Sequence, residues 1–241
     1  MVRAIELPAV EAMRGPSAAD LIFASLYRQV TTLELPPGTR LSEAEVARKA
    51  GVSRQPVRDA FWRLSQLGLL TVRPQRATTV SPISEGAVER ARFIRTALEV
   101  ETVRLAVERR TAATLAVLAR QLSDQEEAVA AGDAERFHGL DDDFHQMLAA
   151  TAGVEYAWSL IRELKAHMDR VRFLSLAFSA EQALADHCLI LAALEAGDAD
   201  AAVVVMRRHL GRIAEIIARI RSDHGEYFAG DEPDAPALAE P

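Results

Sequence analysis

A proline placed three residues after a serine, just behind a glycine, leaves a chain little conformational freedom. The stretch Gly51-Val52-Ser53-Arg54-Gln55-Pro56-Val57-Arg58 therefore reads as one helix ending, a tight turn, and a second helix beginning. Glycine suits the turn because it has no Cβ to clash there. Ser53 is placed to cap the second helix, and Pro56 falls within its first turn, where a missing N–H costs nothing. Upstream, Ser42 and Glu45 have the spacing of a capping box for a first short helix with Leu41, Val46 and Ala50 on its apolar side. Downstream, Val57, Phe61, Leu64 and Leu67 make a buried stripe at helical spacing, leaving Arg54 and Arg58 together on another face. A helix whose N-terminal end offers Ser53, Arg54, Gln55 and Arg58 suits the major groove of DNA. Guanidinium matches guanine, carboxamide matches adenine, and the helix N-terminus attracts phosphate.

After Gly68, the apolar runs Leu69-Leu70-Thr71-Val72 and Ala77-Thr78-Thr79-Val80 flank Arg73-Pro74-Gln75-Arg76. This pattern predicts a two-stranded wing with a basic tip, Arg73 and Arg76 meeting the DNA backbone or minor groove. Taken alone, the two helix arginines would be a charged surface face. Cap, turn, helix and wing in sequence favour a winged helix-turn-helix.

Charge supports this division. Residues 1–82 carry 11 Lys and Arg against 7 Asp and Glu, whereas the rest carries 17 against 28, a basic head on an acidic body. A single cysteine, Cys188, excludes an internal disulfide and reads as a small buried hydrophobe. Neither a signal peptide nor a membrane span is legible, so a cytoplasmic protein with no membrane partner is expected.

From Ser84 onward helical periodicity predicts six helices at about 85–109, 113–130, 134–151, 155–177, 180–196 and 199–222. Ser84, Asp133, Ser179 and Asp198 would be N-caps, and Gly132, Gly153 and Gly197 terminators. Short connections imply an antiparallel helical bundle. The fold class is thus mainly α: a winged helix-turn-helix over 17–82 and an all-α bundle over 83–225, between a disordered arm, 1–16, and a disordered tail, 226–241.

Within the bundle, Asp141 and His145 lie four apart on an apolar helix face, His187 among Leu184, Ile190, Leu191 and Leu194, and His209 among Val205, Met206, Ile213 and Ile216. Each histidine alone is more simply a hydrogen-bonded core residue, and Asp141 alone a solvated charge. Together, three imidazoles and a carboxylate from three helices match the ligand set of a divalent metal. His138 shares the face of His145 and reads as a rim residue, while His167 and His224 read as solvated. Arg95 falls in an inward stripe, where it needs either a structural partner such as Glu99 or an anionic ligand.

Two sets of motifs resemble known domains. Pro36-Pro37-Gly38-Thr39-Arg40-Leu41-Ser42-Glu43 with Ser53-Arg54-Gln55-Pro56-Val57-Arg58 resembles the N-terminal domain of GntR-type bacterial transcription factors. There the matching Ser53, Arg54, Gln55 and Arg58 contact DNA. Leu140-Asp141-Asp142-Asp143-Phe144-His145, Asp186-His187, Arg208-His209-Leu210 and Arg95-Thr96-Ala97-Leu98-Glu99 resemble the effector domain of the FadR-like branch, the FCD domain, in its six-helix form. The resemblance implies zinc or nickel on Asp141, His145, His187 and His209, with a carboxylate effector received by Arg95. Two departures, Ala44 for a further DNA-contacting arginine and Gln75 for a wing glycine, mean that half-site preference does not carry over.

The expected function is a dimeric, ligand-responsive regulator, with repression of an inverted-repeat operator relieved by a small carboxylic acid. A single head offers few base contacts, so two-fold pairing is expected. One rival is a metal-dependent hydrolase, against which stands the lack of a His-Glu-x-x-His element or an adjoining general base. A second is a regulator whose metal is purely structural, and a third is nonspecific architectural binding, which the acidic body disfavours.

Overall fold

The computed structural model describes residues 15–73 and 77–229. The first helix, α1 (Ala18–Thr31), opens with a reciprocal capping box between Ser17 and Asp20. A strand, β1 (Arg40–Leu41), precedes α2 (Glu43–Ala50) and α3 (Arg54–Gln66), and then come β2 (Leu70–Thr71) and β3 (Thr78–Val80). The sheet is antiparallel in the order β1-β3-β2, one strand more than expected. Pairing Arg40 with Thr79 and Leu41 with Thr78 ties the segment before α2 to the wing. Gly51 ends α2 at φ 68°, as the turn required. Ser42 and Ser53 take the extended N-cap backbone but make no side-chain cap bond. The expected capping box is absent at α2, where Glu45 instead pairs with Lys49, 2.9 Å away. The head's core joins Ile22, Leu26 and Val30 to Val57, Phe61 and Leu64.

The body has seven helices: α4 (Glu85–Arg109), α5 (Ala112–Ala131), α6 (Ala134–Thr151), α7 (Glu155–Leu164), α8 (Ala166–Ala196), α9 (Ala199–Gly211) and α10 (Ile213–Asp223). Ser84, Asp133 and Asp198 cap α4, α6 and α9 through their side chains. Two expected boundaries move. The break foreseen near 178 falls at Lys165, where the ammonium is buried between Asp142 and Asp169, and α8 runs unbroken past Ser179. Ser179 does not cap, because its hydroxyl bonds Ser175 Oγ at 3.0 Å and is satisfied along the helix. The expected last helix divides at Arg212, whose Nε donates to Asp186 Oδ2 at 2.7 Å. The main core lies among α4, α5, α6, α8 and α9, with Val103, Leu118, Phe144, Ile190 and Leu194 at its centre.

Three further expectations are corrected. Cys188 is exposed, on the outer face of α8. His167 is buried, accepting the Ser84 N–H at Nδ1. The expected tail begins within a 3-10 turn, Gly225–Tyr227, and the Ile83 N–H and C=O bond Tyr227 O and Ala229 N at 2.7 and 2.9 Å. Burial of Phe228 against Ile83, Val88 and Ile220 explains that order. Positions 1–14, 74–76 and 230–241 of the expected arm, wing tip and tail lie outside the described residues.

Head and body are packed together. Ala166 of α8 belongs to the head's core, and Gly68, at φ 71°, leaves so little room that a Cβ there would stand 2.8 Å from His167 Nε2. Gly68→Ala should therefore cost about 1–2 kcal/mol through left-handed strain and more through the clash. His167→Ala in the same chain should recover the second part, read as the shift in urea midpoint. Gly51→Ala, with nothing near its added Cβ, should show the first cost alone.

Candidate functional site

The exposed face of α3 carries Ser53, Arg54, Gln55 and Arg58, while Val57, Ala60, Phe61 and Leu64 hold the opposite face in the core. Arg58 stands 3.5 Å from Glu43, and Gln55 Nε2 donates to Asp59 at 2.9 Å. Both contacts are on the surface and readily exchanged for others. Arg73 is exposed beyond β2. Arg76 lies outside the described residues.

The second constellation is deep in the body. Asp141 and His145 on α6, His187 on α8 and His209 on α9 each offer one atom to a group lying within 4.8 Å of one another. Asp141 and His187 have no exposed surface. His145 Nε2 is 3.3 Å from His209 Nε2 and 3.9 Å from Asp141 Oδ2, and His187 Nε2 is 3.7 Å from Asp141 Oδ1. Four ligands held about 2.0–2.2 Å from a common ion would stand at comparable separations.

Each outer nitrogen faces an oxygen acceptor. Glu99 lies against His145 Nδ1, and Asp186 Oδ2 is 3.7 Å from His209 Nδ1. A carboxylate beside Nδ1 favours the tautomer with the proton on that nitrogen, which leaves Nε2 to present a lone pair inward. Gln125 does the same for His187, with Oε1 2.8 Å from Nδ1. Its amide orientation is pinned because Nε2 donates to Leu140 O at 3.1 Å. Three lone pairs thus converge on a buried carboxylate, and neither His187 Nε2 nor Asp141 Oδ1 has a hydrogen-bond partner. That donor set fits a divalent cation and fits poorly with any arrangement of protein hydrogen bonds alone.

Electrostatics point the same way. Burial by itself would raise the Asp141 pKa, but Arg172 and then the three histidines hold it well below the usual carboxylate range. His187 is pushed down by burial, then by His209, and His209 is lowered mainly by burial, so both favour the neutral, ligating form.

Arg95, 3% exposed, has the structural partner foreseen for it. Its Nε donates to Glu99 Oε1 at 2.5 Å and Nη1 to Met168 Sδ at 3.4 Å, whereas Nη2 has no hydrogen-bond partner. Arg95 lines a narrow cavity of about 60 Å³ with Asp141, Met168, Arg172, Ser175 and His209. Sequence reading missed Gln125 and Arg172. A glutamine in the second helix and an arginine set in Val171-Arg172-Phe173 were the available signals. His138, read as a rim residue, is half-buried and 3.6 Å from Asp169.

Comparison with known proteins decides the class. Residues 18–80 match bacterial regulatory proteins of the gntR family and 91–212 match the FCD domain. The chain belongs to the GntR family. It is 38% identical to the "HTH-type transcriptional repressor RspR" of Escherichia coli K12 over 210 residues, 86% of this chain and 92% of that protein. It is 32% identical to the "Nta operon transcriptional regulator" of Aminobacter aminovorans over 191 residues, 75% and 87% of the two chains. The solved structure of E. coli McbR/YncC superposes with a TM-score of 0.73 at 26% identity, covering 85% of this chain and 99% of that one. This family member is a DNA-binding transcriptional regulator and not an enzyme, which removes the hydrolase reading of the buried cluster. Among the described residues, no helix is long and apolar enough to cross a membrane.

Glu99 neutralises Arg95 and orients His145 at once; burial would raise its pKa, but Arg95 and His145 drive it strongly down. Glu99→Met should leave the Arg95 guanidinium unpaired and cost about 3–5 kcal/mol, whereas removing both charges with Arg95→Met as well should recover most of the loss. Denaturant unfolding of the metal-free protein, with the two single and the double variant, measures this.

Proposed function

We propose that this regulator reads DNA through Ser53, Arg54, Gln55 and Arg58 of α3 with support from Arg73 and Arg76 of the wing. We infer that it binds a zinc or nickel ion on Asp141, His145, His187 and His209, and responds to a small carboxylic acid. The observation that carries the metal reading is the set of three imidazoles, each facing a different oxygen acceptor at Nδ1 and each offering a nitrogen to the group gathered around one buried carboxylate. When bound, such an ion is a Lewis acid able to take a carboxylate oxygen at a free coordination position. The chain's own contribution is orientation and dryness. Gln125 and Glu99 orient two of the rings and Asp186 faces the third, Phe144 stacks on His187 with ring centroids 4.4 Å apart, and Arg95 Nη2 offers the effector's carboxylate a charged donor.

The protein acts as a homodimer on an inverted repeat, since one recognition helix reads too few bases for useful specificity. Repression relieved by effector is the proposed sign, in keeping with the name of the relative RspR. Effector binding favours one packing of the bundle and so alters the placement of the two heads.

DNA selected from a random-sequence pool supplies the probe for the head. Arg58→Ala should weaken binding to that DNA by about 1–3 kcal/mol and flatten the dependence of affinity on salt. An unchanged affinity and slope would remove α3 from the interface. For the body, His187→Ala should abolish stoichiometric Zn2+ binding by the chelated and refilled protein. Gln125→Leu should weaken it by about 10–100-fold. A screen of carboxylic acids by thermal shift on zinc-loaded protein should raise the melting temperature for the effector and not for Arg95→Met. If no acid shifts either melting or DNA affinity, the ion is structural.

A further inference from the structure

Asp141 is ion-paired with a guanidinium as well as being a member of the cluster. Arg172 Nη2 lies against Asp141 Oδ2, while Nη1 stands 3.5 Å from Asp142 Oδ1 and 4.0 Å from Asp169 Oδ1. Arg172 Nη1 and Asp142 Oδ1 have no hydrogen-bond partner, although both are buried. Asp169 is also where the head is received: its Oδ2 accepts the Tyr27 hydroxyl of α1 at 3.2 Å. Both of its oxygens take Lys165 Nζ at 2.7 Å, and the same ammonium donates to Asp142 Oδ2 at 2.7 Å. One arginine therefore stands between the buried cluster and the acidic pair on which the DNA-binding domain is seated.

We propose that Arg172 is the residue that couples the cluster to the head, an inference that rests on the metal reading above. Arg172 supplies the positive charge that Asp141 needs when no cation is coordinated. A divalent cation on Asp141 supplies that charge instead and repels the guanidinium beside it. The nearest anions left to Arg172 are Asp142 and Asp169. A shift of less than an ångström toward Asp142 would pair two atoms that now lack partners. Asp169 then divides its oxygens among Arg172, Lys165 and Tyr27, and the hydroxyl that fixes α1 has to yield or turn. The equilibrium at Asp141 thus biases the seating of α1 through a chain of direct contacts. The exposed pair Arg28–Glu135 across the same seam contributes little, because solvent screens it.

The test uses full-length protein stripped with a chelator and titrated with ZnCl2. Arg172→Gln should bind Zn2+ more tightly than the parent, by a factor within the range of about 5–150 typical of coupled sites, because no guanidinium competes for Asp141. Hydrogen exchange should show α1 amides responding to Zn2+ in the parent. In Arg172→Gln and Tyr27→Phe, protection should still rise around α6 and α9 while α1 no longer responds. A crystal structure of the zinc-loaded parent should place Arg172 on Asp142 and Asp169. A Gln variant that folds only with Zn2+ present would support the same exchange of charge. Arg172 still against Asp141 in the loaded protein, Zn2+ affinity unchanged or weakened in Arg172→Gln, or an undiminished α1 response in Tyr27→Phe would each overturn the coupling while leaving the metal site intact. A parent that binds neither Zn2+ nor Ni2+ would instead remove the metal reading, and the coupling with it.

Discussion

A carboxylate with no exposed surface has to be neutralised by something within reach, and Asp141 sets that demand at the centre of the bundle. Its position on α6 draws α8 inward through Arg172 and His187 and α9 inward through His209. Around this first ring runs a second, in which Glu99 from α4, Gln125 from α5 and Asp186 from α8 each face one imidazole. Five helices are thereby fixed to one another by polar contacts as well as by the apolar core above them. Buried polar groups of this kind stabilise weakly when compared with a hydrophobic replacement, but they tolerate few alternative packings.

Matching of charge is not universal in the body. Among the described residues, Arg170 is fully buried, and none of its guanidinium nitrogens has a hydrogen-bond partner. Burial alone lowers its pKa to about 10, which leaves it charged at neutral pH. Nothing in the structure explains its retention.

Much of this architecture could be read in the sequence, and the limits have physical causes. Turn and recognition helix were legible because Gly51, Pro56 and the stripe Val57, Phe61, Leu64 act locally. Asp141, His145, His187 and His209 were legible because polar residues on apolar faces are costly and therefore conspicuous, with the resemblance to the FCD domain selecting the same four. Their partners were not. Gln125 and Arg172 acquire meaning only when α5 and α8 are brought against α6, and a sequence holds no local record of that approach. Strand β1 was missed for a related reason, since two residues carry no periodicity and its partner β3 lies nearly forty residues on. The boundaries of α8 were misplaced because a helix buried on several sides has no single apolar stripe. Ser179 then looks like a cap, and Lys165, the true break, looks like an ordinary surface lysine.

The unbroken α8 gives the molecule a mechanical character that its two-part chain conceals. At 1.5 Å per residue, the 31 residues of this helix extend about 46 Å, and about 32 Å separate Ala166 from His187. A helix of that length joins sites that lie far apart in the fold. At one end of it Ala166 is embedded in the head's core and His167 stands against Gly68, while His187 belongs to the buried cluster. The boundary between head and body is therefore a division of the chain and not of the solid: α8 is shared by both.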